Sequence, residues 1–333
     1  MVVTHNRKEL LAHCLHSIQN QVDAVYEVIL VDNASTDGTV EFVHENYPNI
    51  KIIHKNINSG FCEGNNAGIR AARAPIVALL NNDAVVGPTF LRQLLAALED
   101  HPDAAMAACK ILQYENRTLI DKAGHLIYWD GQNRGRGMGE QDHGQYDRPE
   151  EVLWPDGCAA AYRRDALLAV GGFDEDFFAY ADDADLGFRL RLAGHKAIYV
   201  PTAEVYHHRG STLGKTNPRR LHLIERNRVL LAFKNLPLPL LLLNPFFYAV
   251  RLVRGLWAAM VGKGEVARHS SERGKLSIAL TLLRADWEAV RMLPRMWPKR
   301  RQIFRTRKLS SMEVYRLMWR YRISLKTLVE DEP

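Results

Sequence analysis

Ile76-Val77-Ala78-Leu79-Leu80-Asn81-Asn82-Asp83 is an apolar run that stops abruptly in two asparagines and an aspartate. Entered through Ala74-Pro75, a run of that length reads as a buried parallel strand. Ligands of open α/β sheets bind just beyond the carboxyl ends of such strands. A carboxylate placed there can hold a hard divalent cation, and the cation can hold a diphosphate. Taken alone, Asn81-Asn82-Asp83 ahead of Val85-Val86 reads equally well as a polar turn. The surrounding sequence separates the two readings.

Upstream, Val2-Val3-Thr4-His5-Asn6 is a strand fragment, and Leu10, Leu11, Cys14, Leu15 and Ile18 share one face of a helix from Glu9 to Asn20. The fragment is short. It is either an edge strand of very few residues or the remainder of one that starts further upstream. Met1 runs directly into it, so no secretory leader is expected. Tyr26 to Val31 is a second strand, and it ends in Asp32-Asn33-Ala34-Ser35-Thr36-Asp37-Gly38-Thr39, whose capping residues start a helix over 39–46. Ile50 to His54 is a third strand, Asn56 to Phe61 a loop, and Glu63 to Ala72 a helix with glycines at its start. Pro88 opens a helix to Glu99, and Ala104 to Ile111 is a further strand. Alternation of strand and helix predicts a parallel α/β sheet.

Composition excludes several functions. The 333 residues accommodate two domains, or one large domain with an extension. Cys14, Cys62, Cys109 and Cys158 are scattered with no C-x-x-C pair, which argues against a zinc site or a disulfide framework and suits a reducing compartment. No G-x-G-x-x-G follows the first strand and no G-x-x-x-x-G-K-[ST] occurs, so neither a dinucleotide dehydrogenase nor a P-loop NTPase is supported. An aspartyl-phosphate phosphatase requires a second aspartate two residues after the first, and Ala34 stands there after Asp32. The net charge of +6 hides a split: residues 1–208 carry 18 Lys+Arg against 29 Asp+Glu (−11), and residues 209–333 carry 26 against 9 (+17). A basic tail on an acidic body predicts an anionic partner, either nucleic acid or anionic lipid.

Residues 113–153 are rich in Gly, Arg, Asp and Gln and read as a long irregular segment, which in a compact domain is functional or mobile. Trp154 to Arg164 is another strand of small residues, and Asp165 to Val170 a short helix closed by Gly171-Gly172. The second acidic centre is Phe173-Asp174-Glu175-Asp176-Phe177-Phe178-Ala179-Tyr180-Ala181-Asp182-Asp183-Ala184-Asp185-Leu186. Asp182, Asp183 and Asp185 repel one another, so one of them has a raised pKa or a cation lies near. They also stand at the N-terminus of a helix over 186–193, where the dipole favours negative charge. Ala197 to Pro201 is a last strand, followed by Val205-Tyr206-His207-His208-Arg209-Gly210-Ser211.

The blocks V-V-T-H-N, V-D-N-A-S-T-D-G-T, N-S-G-F-C-E-G-N-N-A-G, L-N-N-D and G-G-F-D-E-D-F-F-A-Y-A-D-D-A-D-L, with V-Y-H after them, occur in order within residues 1–235. Together they resemble family 2 glycosyltransferases of the GT-A fold, and more narrowly the bacterial rhamnosyltransferase-like branch that builds lipopolysaccharide and other surface glycans. The resemblance implies an α/β fold, a mixed and mainly parallel sheet flanked by helices. Residues 1–112 would be a nucleotide-sugar-binding half, 113–235 an acceptor-binding half, and 236–333 a basic, amphipathic helical extension. It implies that Asp32, with Thr4 and Asn6, holds the donor's base. Asn58, Gly60 and Asn65 would lie along the ribose and diphosphate, with Asn81 and Asn82 beside them. Asp83 would bind Mg²⁺ or Mn²⁺, although Asn81 replaces the first acid of the usual D-x-D, and His207 would complete the metal shell, with His208 as the fallback. Asp183 would be the catalytic base of an inverting transfer, Asp182 and Asp185 would support it, and Trp154 and Gly157 would shape the acceptor pocket. The implied partners are a dTDP- or UDP-linked sugar and a polyprenyl-linked saccharide acceptor at the cytoplasmic face of the membrane. The rivals are a nucleotide-sugar hydrolase and a nucleotide-sensing protein whose basic tail binds nucleic acid; the full set of Asp32, Asp83 and Asp183 favours the enzyme and no nucleic-acid partner.

In the tail, Asn244 caps a helix with Pro245 in its first turn. That helix carries Phe246, Phe247, Val250, Val253, Leu256, Trp257 and Met260, interrupted by Arg251 and Arg254, and reads as amphipathic and surface-lying rather than membrane-spanning. Trp297 to Lys308 is a basic stretch suited to an anionic leaflet. Packing on the catalytic domain or on a second copy of the chain is the other reading of the tail.

Overall fold

The computed structural model of the protein describes residues 1–208, 217–261 and 275–330. Arg209-Gly210-Ser211 and part of the tail expected over 236–333 lie outside the described residues. The first half runs β1 (Val2–Thr4), α1 (Lys8–Gln19), β2 (Ile29–Asp32), α2 (Thr39–Asn46), β3 (Lys51–His54), α3 (Gly60–Ala71), β4 (Ile76–Asn81), β5 (Ala84–Val86), α4 (Phe90–Asp100) and β6 (Ala104–Gln113). Short strands follow in the glycine-rich segment: β7 (Ile120–Lys122), β8 (His125–Ile127), β9 (Asn133–Gly135) and β10 (Glu150–Val152). Then come β11 (Ala159–Arg163), α5 (Arg164–Ala169), α6 (Asp182–Leu192) and β12 (Lys196–His207).

One sheet has the order β10-β12-β6-β11-β4-β1-β2-β3, with β5 on β12 and β7 on β6. The strands β3, β2, β1, β4, β6 and β12 all point the same way; β11 is inserted between β4 and β6 in the opposite direction. The sheet is therefore mixed and mainly parallel. β1 is not an edge strand: it lies between β2 and β4, covered on both sides, which explains its apolar start despite its shortness. The middle of the sheet is built of alanines, Ala160 and Ala161 facing Ala108 and Ala107 across the pair β11/β6. On one face, Ala108 and Ala160 leave room for Trp154, Phe173, Phe177 and Phe188, which pack in the same core, while Ala107 and Ala161 belong to the core on the other face. β12 is bent between Val200 and Glu204, where Pro201 cannot donate to the ladder, and its last three residues pair with β5.

The C-terminal part is helical: α7 (Pro218–Asn235), α8 (Leu238–Met260), α9 (Lys275–Thr306), α10 (Ser311–Arg320) and α11 (Leu325–Glu330). The start expected at Asn244 is six residues late. α8 begins at Leu238, with Pro239 in its first turn and Pro245 inside it. At 23 residues it is long and apolar enough to cross a membrane by length and composition. One of its two arginines has a different use. Arg251 donates to Asp130 at 2.6 Å and to Glu225 at 2.8 and 3.0 Å, and Arg228 donates to the same Glu225 at 3.0 Å. This buried cluster bolts α8 to α7 and to the segment between β8 and β9.

The basic stretch at 297–308 also turns partly inward. Lys299 pairs with Asp174 and Asp176, and Arg300 donates to the carbonyls of Phe233 and Leu236. The expectation that these charges face an anionic partner is corrected for both residues, because an acidic surface and open carbonyls of the chain itself already meet them.

Burial alone would raise the carboxyl of Glu225, but Arg251 and Arg228 hold it at about 2. A depressed carboxyl contributes stability above its unfolded value and loses it as pH falls towards the folded one. Glu225→Gln is expected to lower stability at pH 7 by on the order of 3 kcal/mol. Urea titrations of both proteins should show the difference shrinking as pH drops from 4.5 towards 2.

Candidate active site

The parallel strands β2, β1 and β4 end side by side, with Thr4 opposite Asp32 and Val3 opposite Asn81. Asp32 is fully buried. Its Oδ2 pairs with His54 Nδ1 at 2.8 Å and accepts from the Ser35 N–H at 3.2 Å, and its Oδ1 has no hydrogen-bond partner among the described residues. A buried carboxylate oxygen left without a donor costs about 1–3 kcal/mol, so it marks a place built for one. Asn6 orders the turn above it, accepting from the Thr36 N–H at 2.8 Å while its own N–H donates to Ser35 Oγ at 2.7 Å. Thr4 Oγ1 accepts from Asn82 Nδ2 at 2.9 Å, linking β1 to the end of β4.

Asn58 and Gly60 form the start of α3. Asn58 Oδ1 accepts from the Gly60 N–H at 3.0 Å, and Asn33 Nδ2 donates to the Gly60 carbonyl at 2.9 Å. Gly60 has φ +88°, and a Cβ on it would lie 2.5 Å from the Phe178 ring, so only glycine fits. Asn65 is placed elsewhere: it is buried within α3 and donates to the Phe61 carbonyl at 2.9 Å, away from the cavity.

The register of β12 on β5 sets His207 opposite Ala84, next to Asp83. His207 Nε2 lies 3.5 Å from Asp83 Oδ1, and Nδ1 is 2.7 Å from Asp121 Oδ2. An outer carboxylate that fixes the ring while the other nitrogen meets an acidic group is the pattern of a metal-ligating histidine. The Asp83 carboxylate suits Mn²⁺ or Mg²⁺, and the His207 imidazole is a second donor beside it. Burial alone would lower the His207 pKa, but Cys158, Asp121 and Asp83 carry it well above its ordinary value. His208 is turned away, stacked on Tyr114 and 2.8 Å from Glu115.

The acidic centre enters through a strained turn. Phe178, Tyr180 and Ala181 have φ of 64°, 69° and 54°. Six of the seven non-glycine residues with positive φ among the described residues lie at this site (Asn6, Arg7, Ala34 and these three), which is where such strain concentrates. α6 then starts at Asp182 rather than Leu186, so Asp182, Asp183 and Asp185 all belong to its first turn. Asp183 Oδ1 accepts from the Ala184 N–H at 2.8 Å and Oδ2 from the Gly157 N–H at 3.0 Å. Asp182 is buried; that burial, and then the charge of Asp183, push its carboxyl well above the usual range. Asp185 lies behind the site. It is fully buried and bound by Arg189, Lys234 and Asn235 at 2.7–2.9 Å, so it supports α6 from beneath.

Thr4, Asn6, Asn58, Gly60, Asn81, Asn82, Asp83, Gly157, Asp182, Asp183 and His207 all line one cavity of about 1640 Å³. Asp32 sits one layer beneath its wall. Trp154 forms no wall of it: the indole is fully buried against Phe188 and the backbone of Gly187, where a Cβ would approach to 2.4 Å.

Three residues absent from the expectation border Asp183. Asp156 Oδ2 meets Lys122 at 2.5 Å and His125 at 2.9 Å, and His125 Nε2 is 3.6 Å from Asp183 Oδ2. His125, Asp156 and Asp183 bring ligand-type atoms within 4.8 Å of one another, close enough for a cation. The Lys122 ammonium already occupies that role. Despite burial, it and His125 hold Asp156 well below the usual carboxylate range. Lys122 and His125 sit in the aperiodic segment and Asp156 just after it, and no spacing announces the three together. Asn227 and Arg226 were also missed. Asn227 Nδ2 donates to the carbonyls of Phe177, Ala179 and Tyr180 at 3.0, 2.9 and 2.7 Å, and Arg226 donates to those of Asp176 and Phe177. One signal was present: Leu223, Asn227, Leu230 and Lys234 fall on one helical face, so two polar residues interrupt an apolar stripe.

Residues 1–171 match the family model described as Glycosyl transferase family 2. The N-acetylglucosaminyl-diphospho-decaprenol L-rhamnosyltransferase of Mycobacterium tuberculosis is 30% identical over 238 residues, covering 65% of this chain and 77% of that protein. Validoxylamine A glucosyltransferase of Streptomyces hygroscopicus subsp. jinggangensis is 26% identical over 215 residues, 58% of this chain and 51% of that one. Among solved structures, the mannosyltransferase PcManGT of Pyrobaculum calidifontis, in complex with GDP-Man and Mn²⁺, has a TM-score of 0.53 at 20% identity, covering 96% of this chain and 86% of that one. That likeness carries the fold, which is GT-A.

Removing the Asn227 amide takes the donor from the Ala179 and Tyr180 carbonyls of the acidic turn and one of the donors from that of Phe177. Asn227→Ala is expected to slow sugar transfer on the order of 10–100-fold through misplacement of Asp183. Nucleotide affinity, measured by calorimetry, should change far less, because the strand-end residues are untouched.

Proposed function

We propose a specific reaction for this chain, which belongs to glycosyltransferase family 2: inverting, metal-dependent transfer of a sugar from a dTDP- or UDP-linked donor to a hydroxyl of a polyprenyl-linked saccharide. The observation that carries it is the meeting of Asp83, His207, Asp182 and Asp183 in one cavity at the carboxyl ends of the parallel strands. The mycobacterial relative's name gives it an N-acetylglucosaminyl-diphospho-decaprenol acceptor and an L-rhamnosyl group to transfer, and rhamnose is the donor sugar we favour.

Asp32 offers its orphaned Oδ1 to an N–H of the base; Thr4 and Asn6 shape that pocket. The backbone at Gly60 and the side chains of Asn58, Asn81 and Asn82 face the ribose and diphosphate. Asp83 and His207 hold the divalent cation, whose chemistry is Lewis-acid stabilisation of the departing nucleoside diphosphate. Asp183 takes the proton from the acceptor hydroxyl. The freed oxygen pair forms the new bond to the anomeric carbon from the face opposite the diphosphate, whose carbon–oxygen bond breaks with its electrons. Gly157 fixes the Asp183 carboxylate through its N–H, and so shapes the acceptor side without a side chain. The exposed apolar residues of α8, among them Leu242, Phe246 and Val253, support work at the cytoplasmic face of a membrane.

Asp183→Asn should abolish transfer of radiolabelled sugar and leave nucleotide binding within about threefold; wild-type turnover would refute the base assignment. Thermal-shift measurements with dTDP, UDP, GDP and CDP, each with Mn²⁺ or EDTA, should show a metal-dependent rise with dTDP or UDP, and Asp83→Ala should remove the metal dependence.

A further inference from the structure

The cavity does not end at the carboxylates. From Asp183 it continues past Arg219 and Arg220 at the start of α7 into a trough between α8, α9 and α11, lined by Leu252, Leu256, Ala259, Ile278, Leu282 and Leu328. Much of the trough's rim is open: Leu256 is 63% exposed and Leu283, also on it, 65%. Contiguous exposed apolar surface of this kind marks a binding site. The alternative, that α8 leaves the protein to cross a bilayer, conflicts with Arg251, which is held among Asp130 and Glu225. The helix is docked, and its apolar residues form one wall of the trough.

The chemistry along the cavity has an order. Carboxylates come first, then two guanidinium groups at the mouth, with Arg219 over the Phe178 ring at 5.3 Å and Arg220 over Tyr180 at 5.9 Å, then a mainly aliphatic stretch whose wall also carries Glu225, Arg228, Arg251 and Asp286, paired with one another. We propose that the trough holds the isoprenoid chain of the acceptor, a polyprenyl diphosphate-linked saccharide, with its diphosphate beside Arg219 and Arg220 and its sugar hydroxyl at Asp183. The inference rests on the transferase reading above and adds the place of the lipid. Bilayer acyl chains need only an outward apolar face; a trough that leads into the carboxylates through a cationic neck fits a molecule with a saccharide at one end, a diphosphate in the middle and a hydrocarbon tail.

The test labels the whole protein in dodecyl maltoside with a benzophenone-tailed farnesyl diphosphate and maps the adducts by peptide mass spectrometry. Adducts within 252–260 or 278–283, competed by polyprenyl diphosphate and not by phosphatidylglycerol, are expected. Adducts elsewhere, or equal competition by phosphatidylglycerol, would overturn the proposal. A second arm compares acceptors with the same saccharide diphosphate on a long or a two-isoprene chain. Ala279→Trp, which fills the trough from α9, should lower the long-to-short ratio of kcat/KM by about tenfold; an unchanged ratio would overturn the proposal. Labelling in the trough with no transfer to any acceptor would refute the transferase reading and leave the lipid site standing. Transfer with labelling elsewhere would do the reverse.

Discussion

The geometry of the site depends on one amide. Asn227 has two N–H bonds to give and three carbonyls to satisfy, those of Phe177, Ala179 and Tyr180. They belong to a turn whose left-handed residues each cost about 1–3 kcal/mol. Without the amide the turn has every reason to relax, and Asp182 and Asp183 follow it at once. Arg226 holds the carbonyls of Asp176 and Phe177, and Lys234 and Asn235 hold Asp185 in the same first turn of α6. The helices after the sheet are thus the mould in which the acidic turn is cast.

The mould is charged and buried. Asp174, Asp185, Arg189 and Lys234 are almost without solvent contact, yet each carboxylate meets a cation. Such a network adds little to stability compared with an apolar core of the same shape, but losing one partner costs about 3–5 kcal/mol because the other is left bare. The network therefore permits very few arrangements of α6 against α7. A base must sit within a hydrogen-bond length of the proton that it takes, and a network intolerant of displacement meets that demand better than interchangeable leucines would.

Much of this was legible in the sequence. The runs at Ile29–Asp32 and Ile76–Asn81 are short, apolar and closed by capping or acidic residues, so local chemistry placed both strand ends and the Asp83 side of the site. The direction of β11 was not legible, because alternation of strand and helix carries no sign, and a five-residue strand that opens with three alanines reads alike either way. Trp154 was misplaced because an aromatic beside a glycine suits a sugar wall and a core equally; the bare backbone of Gly187 decides for the core. Lys122, His125 and Asp156 were invisible because their grouping arises from β7, β8 and the loop before β11, which share no period.

The charge split has to be reread in the same light. An acidic body and a basic tail looked like evidence of an external anion. In the folded chain, Lys234 and Lys299 lie on Asp174, Arg251 on Asp130 and Arg320 on Glu151. Arg226 and Arg300 end on backbone carbonyls. The body is acidic where the tail covers it, and the tail is basic where it reaches the body. Opposite charges on two segments of one chain attract each other at an effective concentration no free partner matches, so a composition bias of this kind is first a statement about intramolecular docking. Only cations left over after that docking carry information about a ligand.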